Sequence, residues 1–229
     1  MSFQSFDDVD KMFGTDNLRP GYDMLRKRYD AGDKSSELLW RLAKFCHELA
    51  AHTTDKGKKK ELIFEGKGYA LEGYHANEND FLAVKWAAIM TGSSTDYLGT
   101  KERIEEGAKF KEFLDKALAM NAKEYTLLHM RARYSYSVAS LSWFERKIAA
   151  VFFATPPTAT MEEALEDFLA ADKEKPDWIE NLIYIARIYY ANNDKENVRK
   201  YCNRLLALKP TDEDERDRVQ EAKKMLSKC

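Results

Sequence analysis

Apolar residues recur along this chain three and four positions apart, and nowhere do they alternate with polar ones over a useful strand length. The clearest stretch runs from Leu128 to Pro176. In its second half Ala164 is followed by Phe168, Ala171 and Pro176. Two small residues on one helical face let a neighbouring helix approach closely, the phenylalanine between them fills the groove, and the proline ends the helix. The same spacing returns 34 residues later at Val198, Cys202, Leu205 and Pro210, and appears earlier at Phe110, Leu114, Ala117 and Ala122, with alanine in place of the proline. Repetition turns a weak pattern into a strong one.

Such intervals are those of the second helix of a tetratricopeptide repeat. The predicted fold is therefore all-α, a right-handed superhelix of antiparallel helix pairs. Residues 1–17 form an N-terminal segment, 18–210 an array of about four repeats, and 211–229 a C-terminal capping helix. Tyr22, Leu25 and Tyr29 give a helix from Leu18 to Ala31, and Leu38, Leu39, Leu42, Phe45, Cys46 and Leu49 a broad apolar face from Glu37 to Ala51. HTTDKGKKK breaks the pattern and reads as a loop. A helix weakened by Gly66 and Gly68 follows, as the degenerate second helix of the first repeat. FLAVKWAAIMTG opens the second repeat, SSTDYLGTK reads as an inserted loop, and IEEGAKFKEFLDKALAM closes it. The third repeat, from about Lys123, is lengthened by the SWFERKIAAVFF helix and the PPTAT break. In the fourth, Leu182, Ile185, Ala186 and Tyr189 pack a first helix. The last segment carries acids in its first turn and lysines in its last, matching the helix dipole at both ends. A polar end of this kind is what a solenoid needs to stop its stack.

Charge narrows the partners. Of 229 residues 33% are charged, yet the formal net charge is only -2, which excludes a globally basic nucleic-acid binder and an acidic disordered chain. Cys46, Cys202 and Cys229 are odd in number and form no CxxC pair, so a reducing compartment, the cytoplasm, is expected. The longest wholly apolar run, Ile148 to Ala154, falls far below the roughly 18 to 20 residues that span a bilayer, so no stable membrane anchor is expected.

Catalytic and metal chemistry fail on spacing. Gly57 and Lys58 lack the glycine that a phosphate-binding loop requires, because the position five before Gly57 is His52. Gly66, Gly68 and Gly73 do not follow a strand as a dinucleotide fingerprint must. Cys46 with His47, His52, His75 and His129 gives no zinc spacing. Cys46 and Cys202 sit on apolar helical faces as structural thiols, and Glu162 with Glu163 are first-turn acids. No enzyme, metal or cofactor is expected.

The segments LLWRLAK (38–44), VKWAAI (84–89) and above all SWFERKIAAVFFATPPTATMEEALEDFLAA (142–171) resemble the regulator of microtubule dynamics protein family. The resemblance runs from about Glu37 to Pro210, and the block joining ERK to PPTAT and EEAL is its most specific part. It implies a non-enzymatic protein that associates with microtubules and spindle poles and acts in chromosome segregation. Longer members of the family carry a membrane anchor and a repeat domain linked to lipid binding or transfer. A lipid-binding or lipid-transfer module is accordingly the alternative expectation.

Two surfaces are candidates. Tubulin has disordered, strongly acidic tails, and a binder needs clustered cations to attract them. Lys56, Lys58, Lys59 and Lys60 form the best linear cluster, and Arg26, Lys27 and Arg28 the second. The other surface is the concave groove lined by first helices. With Ala132 and Ala186 as close-packing residues, helix phase turns His129, Arg133 and Tyr136 toward it, together with Ile183, Arg187 and Tyr190, and Arg41 joins them from the first repeat. Arginines among aromatic and apolar walls suit an acidic peptide or an anionic lipid headgroup, whereas pairing with acids on adjacent helices is their purely structural reading.

Overall fold

A computed structural model describes residues 6–152 and 158–229. Residues 1–5 of the N-terminal segment, and the part of the PPTAT break at 156–157, lie outside the described residues. Among those described there are helices and one 3-10 turn, with no strand. The chain divides into two compact units, Met1–Met120 and Asn121–Cys229.

The first unit holds α1 (Phe6–Asp10), α2 (Leu18–Asp30), α3 (Ser36–Ala51), α4 (Lys56–Ala76), α5 (Phe81–Ser94) and α6 (Thr100–Met120). Each of α2 to α5 packs on the helix that follows it. The short connections make sequential neighbours antiparallel. The N-terminal segment is tied down from Phe6 onward: Val9 is fully buried, the Phe13 ring lies 4.3 Å from that of Phe45, and the Gly14 N–H donates to Glu48 Oε2 at 2.8 Å. Gly66, which weakens α4 by propensity, is required by packing. A Cβ there would stand 2.6 Å from Met90 Cε and 2.7 Å from Cys46 Cβ, so the glycine is what lets α3 and α5 close on α4.

One boundary differs from expectation, and it bears on function. HTTDKGKKK is only partly a loop, because α4 already begins at Lys56. The Asp55 carboxylate accepts the N–H groups of Gly57 at 2.8 Å and Lys58 at 3.1 Å, and this cap starts the helix ahead of the apolar face. Part of the expected SSTDYLGTK loop is likewise helical: α5 runs on to Ser94 and a 3-10 turn covers Thr95–Tyr97.

The second unit holds α7 (Tyr125–Ala139), α8 (Trp143–Phe152), α9 (Met161–Glu174), α10 (Ile179–Ala191), α11 (Lys195–Leu206) and α12 (Glu213–Leu226). Here α9 packs on α7 and α10, while α10 meets both α11 and α12. The residues picked out by the repeat spacing are its core. Ala164, Phe168 and Ala171 are fully buried, as are Cys202, Leu205 and the alanines Ala132 and Ala186, with Val198 nearly so. Burying one such phenylalanine side chain stabilises a fold by about 1.5–3 kcal/mol. Thr160 and Glu163 close a reciprocal capping box on α9, and Asp212 caps α12 through the Glu215 N–H at 2.7 Å.

Candidate functional site

The first candidate surface is the start of α4. Lys56, Lys58 and Lys60 are exposed, Lys59 half-buried, and none of the four is ion-paired among the described residues. Lys60 lies over the Phe64 ring at 5.8 Å. The first turn of α4 contains no acid, so its lysines face the positive end of the helix dipole with only the Asp55 cap to offset them. By contrast the first turn of α9 carries Glu162 and Glu163, and that of α12 Glu213, Asp214 and Glu215.

The cluster on α2 is mostly committed. Arg26 donates to Asp30 at 3.0 Å and to the Tyr69 hydroxyl, with Glu65 at 3.4 Å. Arg28 is held by Asp33 at 2.5 Å, which closes the C-terminal end of α2. Lys27 remains exposed, so only one of these three cations faces solvent unspent.

The groove residues divide more sharply. Arg41 is 7% exposed and clamps the N-terminal segment, donating to both Asp10 oxygens at 2.7 Å and to Glu37 at 2.5 Å. It is therefore a structural clamp and not a free ligand group. Ile183 is fully buried in the core and lines no surface, because α10 turns it toward the apolar side that it shares with Leu182 and Ala186. Arg187 donates to both oxygens of Glu221 at 2.7 Å and lies over the Tyr184 ring at 4.7 Å. The hydrogen bond to Glu221 holds its guanidinium even more firmly protonated than usual. Tyr136 is half-buried with its ring edge-on to Tyr184 at 5.4 Å, and Tyr190 is exposed.

His129 and Arg133 meet at a residue that helix phase alone does not mark. Arg133 donates to Glu180 Oε1 at 3.1 Å, Arg218 from α12 stands 3.6 Å from the same oxygen, and His129 Nε2 lies 3.7 Å from it. The imidazole is 2% exposed. Its Nδ1 is 2.9 Å from Asn181 Oδ1, and Asn181 Nδ2 in turn donates to the Phe168 carbonyl, so Nδ1 carries the donated hydrogen. Nε2 is left buried without a hydrogen bond. Burial raises the Glu180 carboxyl, but His129, Arg133 and Arg218 outweigh it and hold the group down at about 2. Beside this cluster Tyr184, Arg187, Asp214, Asp217, Arg218 and Glu221 line a depression of about 280 Å³.

Both structural thiols behave as expected. Burial pushes Cys202 up to about 11 and raises Cys46 well above the ordinary thiol range, so neither supplies a thiolate at neutral pH. Among the described residues no group of three His, Cys, Asp or Glu side chains is placed to hold a metal ion, and no helix is long and apolar enough to cross a membrane.

Comparison with known proteins places this architecture. The family model described as Regulator of microtubule dynamics protein 1-3 matches residues 5–229. The chain belongs to that family. Regulator of microtubule dynamics protein 1 of Caenorhabditis elegans is 40% identical over 226 residues, which covers 99% of this chain and 100% of that protein. The bovine protein of the same name is 34% identical over 82% of this chain, and bovine Regulator of microtubule dynamics protein 2 is 30% identical over the same share. The chain spans 59% and 46% of those two longer relatives. Among solved structures, the C-terminal part of a TPR repeat-containing protein from Cytophaga hutchinsonii aligns over 97% of this chain and 94% of its own, at 12% identity. Its TM-score of 0.30 is too low to support an argument. The chain is thus an all-helical member, over its described residues, of the regulator of microtubule dynamics family.

Sequence reasoning missed Glu180, Arg218 and Glu221, which organise the face shared by α7, α10 and α12. A signal was present for one of them. Arg187 and Glu221 are 34 positions apart, which is the repeat period itself, so equivalent turns of neighbouring repeats bring the two charges together.

Proposed function

We propose that this protein is a non-catalytic, microtubule-associated binding module that acts at the spindle in chromosome segregation and meets the acidic tails of tubulin through the start of α4. Membership of the family supports the microtubule part. The observation that carries the contact is the set of four lysines in the first turns of α4, unpaired and set against the helix dipole. An arrangement that weakens its own helix has its offsetting attraction outside the chain. Mobile glutamate-rich tails supply such an attraction at long range, and it declines as salt rises.

The test is co-sedimentation across a salt series with intact and tail-cleaved microtubules. The quadruple variant K56E/K58E/K59E/K60E should lose binding by at least about tenfold at low salt, while its helicity by circular dichroism is unchanged. Tail cleavage should reproduce that loss in the wild type. Undiminished sedimentation of the variant sinks the assignment of α4.

A further inference from the structure

We propose that the cluster around Glu180 is a binding site for a mixed-charge peptide segment, and that Glu180 is a resident competitor for the carboxylate of that peptide. Three nitrogen groups converge on one carboxylate oxygen, yet only Arg133, at 3.1 Å, is within hydrogen-bond reach. Arg218 at 3.6 Å and His129 Nε2 at 3.7 Å point at Glu180 without closing on it. The imidazole is almost wholly buried, its tautomer is set by Asn181, and its free nitrogen is directed at this spot. A buried polar atom left without a partner lowers stability, a loss that a ligand group can recover. The two guanidinium groups donate to an incoming carboxylate, and Nε2, the acceptor nitrogen of this tautomer, takes an N–H of the same segment.

The neighbouring depression defines the rest of the ligand. It opens beside Arg218 and is walled by Tyr184, with Asp214 and Asp217 on its lining. Both aspartates are exposed and neither is ion-paired among the described residues. Arg187 and Glu221 neutralise one another by two hydrogen bonds at 2.7 Å. The free charge of the depression is therefore negative, next to two arginines that attract a carboxylate. A run of glutamates is repelled from such a site, and a lone cation finds only half of it. A segment presenting glutamate or aspartate next to lysine or arginine satisfies both halves. Zwitterionic phospholipid headgroups carry the same pair of charges, but a depression of about 280 Å³ with a lining this rich in ionic groups has no bed for acyl chains, which favours the peptide.

The test uses the full chain and fluorescently labelled ten-residue peptides of alternating Glu and Lys, of Glu alone and of Gln alone, followed by anisotropy. The wild type should prefer the alternating peptide to either control. Glu180→Gln, which removes the resident carboxylate, should tighten that binding about tenfold. The double variant Arg133→Gln with Arg218→Gln should weaken it by about the same factor. Asp214→Asn with Asp217→Asn, at two exposed positions that leave the fold intact, should shift preference toward the all-Glu peptide. The inference is overturned if Glu180→Gln is folded by circular dichroism and binds no more tightly than the wild type. It is overturned equally if the aspartate variant keeps the wild-type preference, a readout that stands even if Glu180→Gln does not fold. Binding to vesicles of zwitterionic phospholipid without binding to the alternating peptide overturns the choice of occupant. The quadruple α4 variant should bind the alternating peptide as the wild type does, because the two surfaces belong to different units.

Discussion

The cations at the start of α4 and those on α7, α10, α11 and α12 look alike in sequence and behave in opposite ways in the structure. On α10, Arg187 has its guanidinium doubly bonded to Glu221, and on α11 Arg204 is held in the same way by Asp172 at 2.7 and 2.9 Å. On α4, Lys56 to Lys60 find no acid at all among the described residues. The difference lies in where the helix turns each side chain. Arginines that face a neighbouring helix 30 to 50 residues away in sequence meet the acids of that helix, and they hold the stack together. Lysines at the start of a helix lean toward its N-terminal end, and these four form no ion pair among the described residues. Cations of the first kind maintain the fold, and those of the second kind remain available to a partner.

This contrast can be broken by experiment. The largest effect is expected at Arg41, the most buried of the paired cations. Arg41→Ala removes the charge-assisted hydrogen bonds to Asp10 and Glu37, both open to solvent, and should lower the unfolding free energy in urea by about 2–3 kcal/mol. A loss below about 1 kcal/mol would mean that the clamp on the N-terminal segment is decorative.

Next comes the acid response of Glu180. Its folded value of about 2 lies below the ordinary 4.5, so the carboxylate stabilises the fold above about pH 4.5 and its contribution fades as pH falls toward 2. Between pH 5 and 2.5 the stability of the wild type should therefore fall more steeply than that of Glu180→Gln, by up to one proton per molecule in slope. Parallel curves would show that the three surrounding side chains do not act on this group.

Arg187→Gln should cost about 1–2 kcal/mol, less than Arg41→Ala because the Arg187–Glu221 pair is partly exposed to solvent and screened. The smallest effect should come from changing Lys56, Lys58, Lys59 and Lys60 to alanine. Stability should stay within about 0.5 kcal/mol or rise slightly, since removing positive charge from a helix N-terminus relieves an unfavourable dipole interaction. Microtubule binding should fall in the same variant. A clear loss of stability would place these lysines with the paired cations and remove the contrast.

Much of the core was legible from spacing. Ala164, Phe168 and Ala171 and, one period later, Val198, Cys202 and Leu205 lie where the pattern predicts, and Phe110, Leu114 and Ala117 are buried in the same way on α6. Close helix packing requires small and large residues at fixed turns, and that requirement is local enough to be written in a dozen positions. Helix phase turned Arg133 and Arg187 toward a groove, and in the structure they pair with Glu180 and Glu221. It failed at Ile183, whose position on α10 belongs to the apolar side, and at Arg41, whose partner Asp10 sits in a segment that spacing left unassigned. It failed again at Lys56, because one capping aspartate extended a helix over residues whose composition reads as loop.

By itself the amino-acid order determined the helical period, the small-residue contacts and hence the packed helix pairs within each unit, since each depends on neighbours only three, four or 34 positions away. Tertiary structure alone decided which charges are spent and which are free. That outcome depends on distances between side chains such as His129 and Glu180, or Arg218 and Glu180, which are set by how α7, α10 and α12 pack and not by any interval along the chain.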